Sequence, residues 1–375
     1  MMIIPDNIIF PERTISGANS VLQLVPECAR FGSRGVILHG RSLAKSGVLK
    51  SISDNVPNGV DVVCWEHGGG EPTLAHLEDA LAFSKKHRAD WIAGVGGGSV
   101  LDVAKACAGL FNVKNKISAY HDGLPIETPG IPFVAAPTTA GTGSEATINS
   151  VLTNIATRQK KSIRNPLLIA KIVILDPTLL ANCPKETIAY AGLDAFTQAI
   201  EAYTSRMATW LSDQFGLKAI SLIAVNLEAV YRGGNAEARS GLLLGSYLAG
   251  LSFSMARLGV VHGLAHPLGI RYHAAHGLVC GVCLPHAIEL NRTAMGDKYG
   301  IISREIGGDL LTVTRELLEK LGVQSPFKGR QIIEKEVIIR ETLKSWSTAA
   351  NAKPVTESDV EFLLARLFEN QNPRL

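Results

Sequence analysis

The chain has 375 residues, 46% of them apolar and 19% charged, with a formal net charge of +3. That length suggests two domains, and the composition is that of a globular protein able to bury a sizeable core. A charge this near balance, with no Lys/Arg run and no zinc-finger spacing, gives no reason to expect a nucleic-acid partner. No apolar stretch approaches the length of a membrane span. The N-terminus MMIIPDNIIFPER lacks the charged and apolar regions of a signal peptide. The expectation is a cytoplasmic protein with no membrane partner, its six cysteines (28, 64, 107, 183, 280 and 283) held as thiols.

In chain order, Val36–Leu38 and Val60–Cys64 read as strands, Leu74–His87 as an amphipathic helix and Trp91–Val95 as a further strand. Val100–Phe111 is helical, and Phe133–Ala136 and Ile172–Leu175 return to strand. Strands separated by helices imply a parallel sheet with helices on both faces. Beyond Thr178 helical periodicity dominates, as in Lys185–Tyr203, Trp210–Tyr231 and Ala238–Met255. The turn signal Asp176-Pro177 puts a boundary there. The expected fold is an α/β domain over residues 1–178 followed by an all-α domain over 179–375.

Two strand ends carry unusual loops. Trp91–Val95 runs into Gly96-Gly97-Gly98-Ser99 and then a helix. Glycines there let backbone N–H groups approach a phosphate, and the helix N-terminus favours negative charge. Ser99 is the expected N-cap, with Asp102 as its acidic partner in the first turn. The turn lacks the GxGxxG pattern, and alone it reads equally well as a simple turn. After Phe133–Ala136 comes PTTAGTGSE, rich in hydroxyls and glycine. Two such loops at strand ends make one shared ligand crevice the natural reading, against the plainer one of solvated loops.

The helical half carries paired donors. Asp194 and Gln198 lie four apart, as do His262 and His266, and His276 follows. Spacing of four puts both members of a pair on one helix face. A carboxylate with imidazoles suits Fe²⁺ or Zn²⁺, although any single histidine is more often structural. His273 reads as a spectator or pocket residue, and Glu201 as half of a helix-stabilising ion pair. Cys280 and Cys283 form a CxxC that reads as small residues lining a buried helix rather than as a redox or zinc pair.

Four stretches together resemble the iron-containing (group III) alcohol dehydrogenase family: GVGGGSVLDVAKA, PTTAGTGSEAT, DPTLLANCPKETIAYAGLDAFTQAIEAYTS and HGLAHPLGIRYHAAHGLVCGVCLPHAIELN. The resemblance covers nearly the whole chain and implies a dehydroquinate synthase-like architecture with a nicotinamide-dinucleotide-binding first domain. Carried over, the metal positions are Asp194, Gln198, His262 and His276, with Gln198 standing where the family has His. Three readings of that departure stay open: a weaker site through Gln198, a site completed by water, or a metal-free site. His266 matches a family histidine near the nicotinamide and is the candidate proton relay. Gly97, Gly98, Ser99 and Asp102, together with Thr138, Thr139 and Thr142, are expected to cradle the cofactor, and Lys161 resembles a lysine near its ribose.

An Asp that in NAD-preferring members follows the first core strand is replaced here by Gly40, followed by Arg41 and Ser42. Loss of that carboxylate, with a guanidinium and a hydroxyl to bind a 2′-phosphate, implies NADP(H) in preference to NAD(H), against the plainer reading of Arg41 as a solvated turn residue. The expected reaction is reversible hydride transfer to a small aldehyde or ketone at a divalent metal, in a dry cleft between the domains, by a homodimer or larger assembly. Two alternatives stand beside it. One is a metal-independent reductase of the maleylacetate reductase type on the same fold, and the other is a non-catalytic nucleotide-binding relative.

Overall fold

The computed structural model describes residues 3–157 and 159–369. In its first compact unit, Ile9–Cys183, the apolar runs become strands. These are β1 (Arg13–Ser16), β2 (Arg34–Gly40), β3 (Asp61–His67), β4 (Trp91–Gly96), β5 (Phe133–Pro137), β6 (Asn149–Asn154), β7 (Gln159–Arg164) and β8 (Ile172–Leu175). Six form one sheet in the order β1-β8-β5-β4-β2-β3, every pair parallel, while β6 and β7 make a separate antiparallel hairpin. Helices α1 (Leu24–Cys28), α2 (Arg41–Lys45), α3 (Val48–Ser53), α4 (Leu74–Lys86), α5 (Gly98–Gly109) and α6 (Ile117–His121) connect them.

The alternation of β4 decides how it is covered. Trp91, Ala93 and Val95 point into one apolar cluster with α1 and Ile37. On the opposite face, a Cβ at Gly94 would lie 2.9 Å from the Ala104 Cβ, and one at Gly96 2.5 Å from the Val100 Cβ. The bare backbone at these two positions therefore lets α5 lie directly on the sheet. From β2 the chain moves outward to β3, then returns to β4 on the other side of β2. The strand order reverses between β2 and β4, where ligands bind in open α/β sheets. Because the strands are parallel, the ends of β2, β4 and β5 carrying Gly40, Gly97 and Thr138 share one edge.

The boundary falls later than the turn signal implied. Asp176 caps a 3₁₀ turn over Pro177–Leu180, and its carboxylate also accepts the backbone N–H groups of Asn19 and Val21. Leu179 packs in the sheet cluster. Residues 177–183 thus stay with the first unit, and the second begins at Pro184. The segment ending at Ile8 also belongs to the second unit, where Ile3 O accepts the N–H of Leu211.

The second unit is helical among its described residues: α7 (Lys185–Thr204), α8 (Trp210–Tyr231), α9 (Ala236–Ala256), α10 (Val260–Tyr272), α11 (His276–Met295), α12 (Asp297–Glu305), α13 (Leu310–Lys320), α14 (Lys335–Lys344) and α15 (Glu357–Phe368). Thr209 and Asn235 cap α8 and α9 through side-chain acceptance of backbone N–H groups. α11 presses on α7 through glycines one turn apart. A Cβ at Gly277 would lie 2.1 Å from the Tyr190 carbonyl oxygen, and one at Gly281 2.7 Å from Leu193 Cδ1. No single helix among the described residues is long and apolar enough to cross a membrane.

Candidate active site

In the first unit the Gly-rich turn and the Thr-rich loop form one surface. Thr138 N–H donates to Gly96 O at 2.9 Å. A Cβ on Gly97 would touch Thr139 at 3.4 Å, and one on Gly98 would strike Thr142 Cγ2 at 2.5 Å. The helix behind this surface opens two residues earlier than expected. Gly97 is the N-cap of α5 with no side-chain hydrogen bond, and Ser99 lies inside the first turn rather than capping it. Glycine at the cap leaves the first-turn amides clear for an anion. On the neighbouring strand, Gly40 caps α2, and the Arg41 and Ser42 side chains that follow are exposed. Arg41 Nε lies 3.9 Å from Glu66 Oε1.

Asp102 ties the Thr-rich loop to β6. Its carboxylate accepts from Ser144 Oγ at 2.6 Å and from Val151 N at 3.2 Å. One turn on, the fully buried Lys105 Nζ donates to the carbonyls of Ser144, Thr147 and Asn149 at 2.5, 2.9 and 2.6 Å. Three carbonyls match the three donors of an ammonium. Burial pulls its pKa down to about 8, against the pull of Asp102 and Glu145. Burial likewise pushes the Glu145 carboxyl up to about 7. Lys161, the expected ribose lysine, pairs with Asp122 at 3.1 Å. Its neighbour Lys160, paired with Glu71, is the more buried of the two and acts electrostatically on Asp102.

In the second unit three helices each contribute residues four apart: Asp194 and Gln198 from α7, His262 and His266 from α10, His276 and Cys280 from α11. Asp194 Oδ1 lies 3.2 Å from His262 Nε2 and 3.7 Å from His276 Nε2. Cys280 Sγ lies 3.6 Å from His276 Nε2 and 3.9 Å from His262 Nε2. One donor atom from each of these four residues falls within 4.8 Å of all the others. Cys280 and Cys283 are both buried in the apolar cluster, as small residues lining a helix, but Cys280 also brings its Sγ to the two imidazoles, which the sequence reading did not anticipate. His266 stacks on His276 with ring centroids 5.0 Å apart. His273 stands outside the group and ends α10 in the left-handed region.

Glu201, expected to be half of a helix ion pair, instead orients His262. Its Oε2 accepts from His262 Nδ1 at 2.6 Å, and its Oε1 accepts from Val261 N at 2.7 Å. That bond turns Nε2 toward Asp194. Burial opposes charge on His262, but the groups around it, Glu201 and Asp194 among them, hold its pKa well above the ordinary value. Burial pushes the Cys280 thiol up to about 12. Gln198 is buried, and its Oε1 has no hydrogen-bond partner.

Residues 11–177 match the family model described as iron-containing alcohol dehydrogenase, and residues 188–368 match that of the C-terminal part of the same family. The chain is 36% identical over 316 residues to long-chain-alcohol dehydrogenase 1 of Geobacillus thermodenitrificans (strain NG80-2), spanning 80% of this chain and 78% of that protein. It is 32% identical over 326 residues to lactaldehyde reductase of Escherichia coli (strain K12), spanning 86% and 85%. The crystal structure of a 1,3-propanediol oxidoreductase superposes with a TM-score of 0.91 at 28% identity, covering 96% of this chain and 99% of that one.

Proposed function

This chain belongs to the iron-containing alcohol dehydrogenase family, and from that premise we propose that it interconverts a small alcohol and its aldehyde or ketone in a metal-dependent, nicotinamide-linked reaction. The observation that carries this reading is the convergence of Asp194 Oδ1, His262 Nε2 and His276 Nε2 inside a helical core. A buried carboxylate and imidazoles are costly unless they are paired or hold a cation.

The residues fit a divalent metal. A carboxylate with two imidazoles suits Zn²⁺ or Fe²⁺. The orphaned Gln198 Oε1, one turn along the same helix face, is a buried acceptor that a cation would satisfy. A cation held by Asp194, His262 and His276, with Gln198 as a neutral donor, supplies Lewis-acid stabilisation of charge on the substrate oxygen. Glu201 keeps His262 in the tautomer that offers Nε2. His266 carries the proton between substrate oxygen and solvent.

The dinucleotide supplies or accepts the hydride equivalent. Gly97 and Gly98 give its pyrophosphate access to the first turn of α5, with Ser99 beside them, while Thr138, Thr139 and Thr142 orient it. Asp102 and Lys105 position the Thr-rich loop for that task. Lys161, exposed and paired with Asp122 in this structure, is the lysine the resemblance implies for the ribose. NADP(H) is the preferred cofactor: Gly40 offers no carboxylate to repel a 2′-phosphate, and the exposed pair of Arg41 with Glu66 is weak enough for a phosphate to displace.

Elemental analysis of protein purified without chelator, with a screen of short-chain aldehydes and both cofactors, tests the reading. The expected result is stoichiometric divalent metal and NADPH-linked reduction that chelation abolishes and metal restores. Turnover untouched by thorough metal removal overturns it.

A further inference from the structure

We infer that Cys280 is a thiolate ligand of the same centre, taking the fourth position from Gln198 in an Asp194–His262–His276–Cys280 donor set that favours zinc over iron and admits the substrate oxygen as a fifth ligand. The inference rests on the metal-dependent reading above and adds to it a ligand the resemblance did not supply, a cysteine on α11, facing a centre where α7 offers the neutral Gln198.

The distances carry it. In a tetrahedral zinc site, with Zn–S about 2.3 Å and Zn–N or Zn–O about 2.0–2.1 Å, neighbouring donor atoms stand about 3.4–3.6 Å apart. Four edges of the present group measure 3.2 Å (Asp194 to His262), 3.7 Å (Asp194 to His276), 3.6 Å (Cys280 to His276) and 3.9 Å (Cys280 to His262). These four lie around the tetrahedral value and the remaining two pairs lie within 4.8 Å, so side-chain adjustments of up to about an ångström would close a tetrahedron around an ion.

Hydrogen bonding alone explains the arrangement poorly. A single thiol proton cannot serve two imidazoles, and S–H is a weak donor. Glu201 occupies Nδ1 of His262, which leaves the Nε2 lone pair facing the Asp194 carboxylate unless the ring is charged. Without an ion the ring must carry a proton on each nitrogen to meet both carboxylates; a cation among the four takes the place of the Nε2 proton. Coordination also removes the thiol proton, which passes to solvent as the metal–sulfur bond forms. A soft thiolate then draws the preference toward zinc. Cys283, about 10 Å along α11 from His276, is not among the donor atoms that converge there.

The test replaces the native metal in the full chain with Co²⁺ and reads the absorption spectrum. Wild type should show a near-ultraviolet thiolate-to-cobalt charge-transfer band beside the intense visible bands of a tetrahedral ion. Cys280→Ser should lose the charge-transfer band while still binding cobalt, and Cys283→Ser should keep it. Zinc affinity of Cys280→Ser should fall by at least about 100-fold, the upper range for loss of an outer-shell partner. Bound cobalt in wild type without that band, or a band that survives Cys280→Ser, overturns the thiolate ligand and leaves the Asp–His–His centre standing. Failure of wild type to bind any metal overturns both readings. If Cys280→Ser does not fold, X-ray absorption of the wild-type zinc protein decides: one sulfur neighbour at about 2.3 Å is expected, and its absence overturns the inference.

Discussion

Glu201 Oε2 lies 2.6 Å from His262 Nδ1, and the other oxygen of the same carboxylate accepts the Val261 amide in the first turn of α10. One buried side chain on α7 thus fixes both where α10 begins and which way its histidine faces. Gly259 makes the approach possible, since a Cβ there would lie 2.6 Å from Glu201 Oε1. Glu201→Gln keeps the shape but weakens the hold on the His262 tautomer and removes the charge that raises ligand basicity. Metal affinity should fall about 10- to 100-fold, with helical content unchanged by circular dichroism. Equal affinity in a competitive chelator titration would show that His262 needs no such support.

Gly98 and Thr142 define how closely the two loops of the first unit approach. A Cβ at Gly98 would meet Thr142 Cγ2 at 2.5 Å and Oγ1 at 2.9 Å, whereas at Gly97 the nearest contact is 3.4 Å. Gly98→Ala should therefore cost about 1–3 kcal/mol of stability by overpacking and weaken dinucleotide binding, with Gly97→Ala milder in its effect on stability. Thr142→Ala in the Gly98→Ala background removes both clashing atoms and should recover part of the stability. The denaturation midpoints of the single and double variants check this. No recovery in the double variant would mean that the two loops do not limit one another.

Much of this was legible in the sequence, for physical reasons. Buried parallel strands such as Trp91–Gly96 announce themselves as unbroken apolar runs, and pairs at a spacing of four share a helix face wherever the helix packs. What stayed hidden depends on partners distant in sequence. Cys280 reads as one small apolar residue among several until α11 is laid against α7. Glu201 reads as a surface acid until α10 approaches it. Ser99 looks like a cap because serine usually is one, yet Gly97 takes that place in the structure. β1 is short and mostly exposed, and the β6–β7 hairpin alternates too weakly to stand out.

The buried pair Lys105 and Glu145 gives the first unit a pH signature. Burial raises Glu145 from an ordinary 4.5 to about 7. The folded state therefore holds that proton more tightly, and the stability it contributes is complete below 4.5 and lost as pH rises through about 7. Burial lowers Lys105 from 10.5 to about 8. There the unfolded state binds more protons between about 8 and 10.5, so stability rises with pH over that window. The two groups together produce a minimum near neutrality, the acid limb being on the order of 3 kcal/mol. Glu145→Gln should flatten the acid limb and keep the alkaline one, read from urea midpoints between pH 5 and 10. An unaltered acid limb would place the titrating group elsewhere.

Cofactor preference turns on a position with room to spare. Gly40 has φ near −89° in the extended region, and a Cβ there would meet only Val100 Cγ2 at an ordinary 3.6 Å. Gly40→Asp should fold normally and place a carboxylate beside Arg41, where it repels a 2′-phosphate and can accept from a ribose hydroxyl. The ratio of kcat/KM for NADPH over NADH should fall by about tenfold or more, equivalent to about 1.4 kcal/mol. An unchanged ratio would show that the end of β2 does not contact the adenosine ribose.

Gln198 offers the reverse experiment, adding a donor instead of removing one. It lies one turn from Asp194 on α7, is 4% exposed, and its Oε1 has no hydrogen-bond partner. An imidazole is a better ligand than a neutral amide oxygen for either Fe²⁺ or Zn²⁺. Gln198→His should tighten metal binding about tenfold, and it should shift the choice of metal toward iron, because a third imidazole competes with the Cys280 thiolate for the ion. The two effects separate in a Cys280→Ser background. There Gln198→His should restore affinity lost with the thiolate, while in wild type its gain should be smaller. Zinc and iron affinities measured by competition across the four combinations give the coupling directly. Strictly additive effects would mean that the two side chains do not share one ion, and no effect of Gln198→His in either background would mean that residue 198 does not face it.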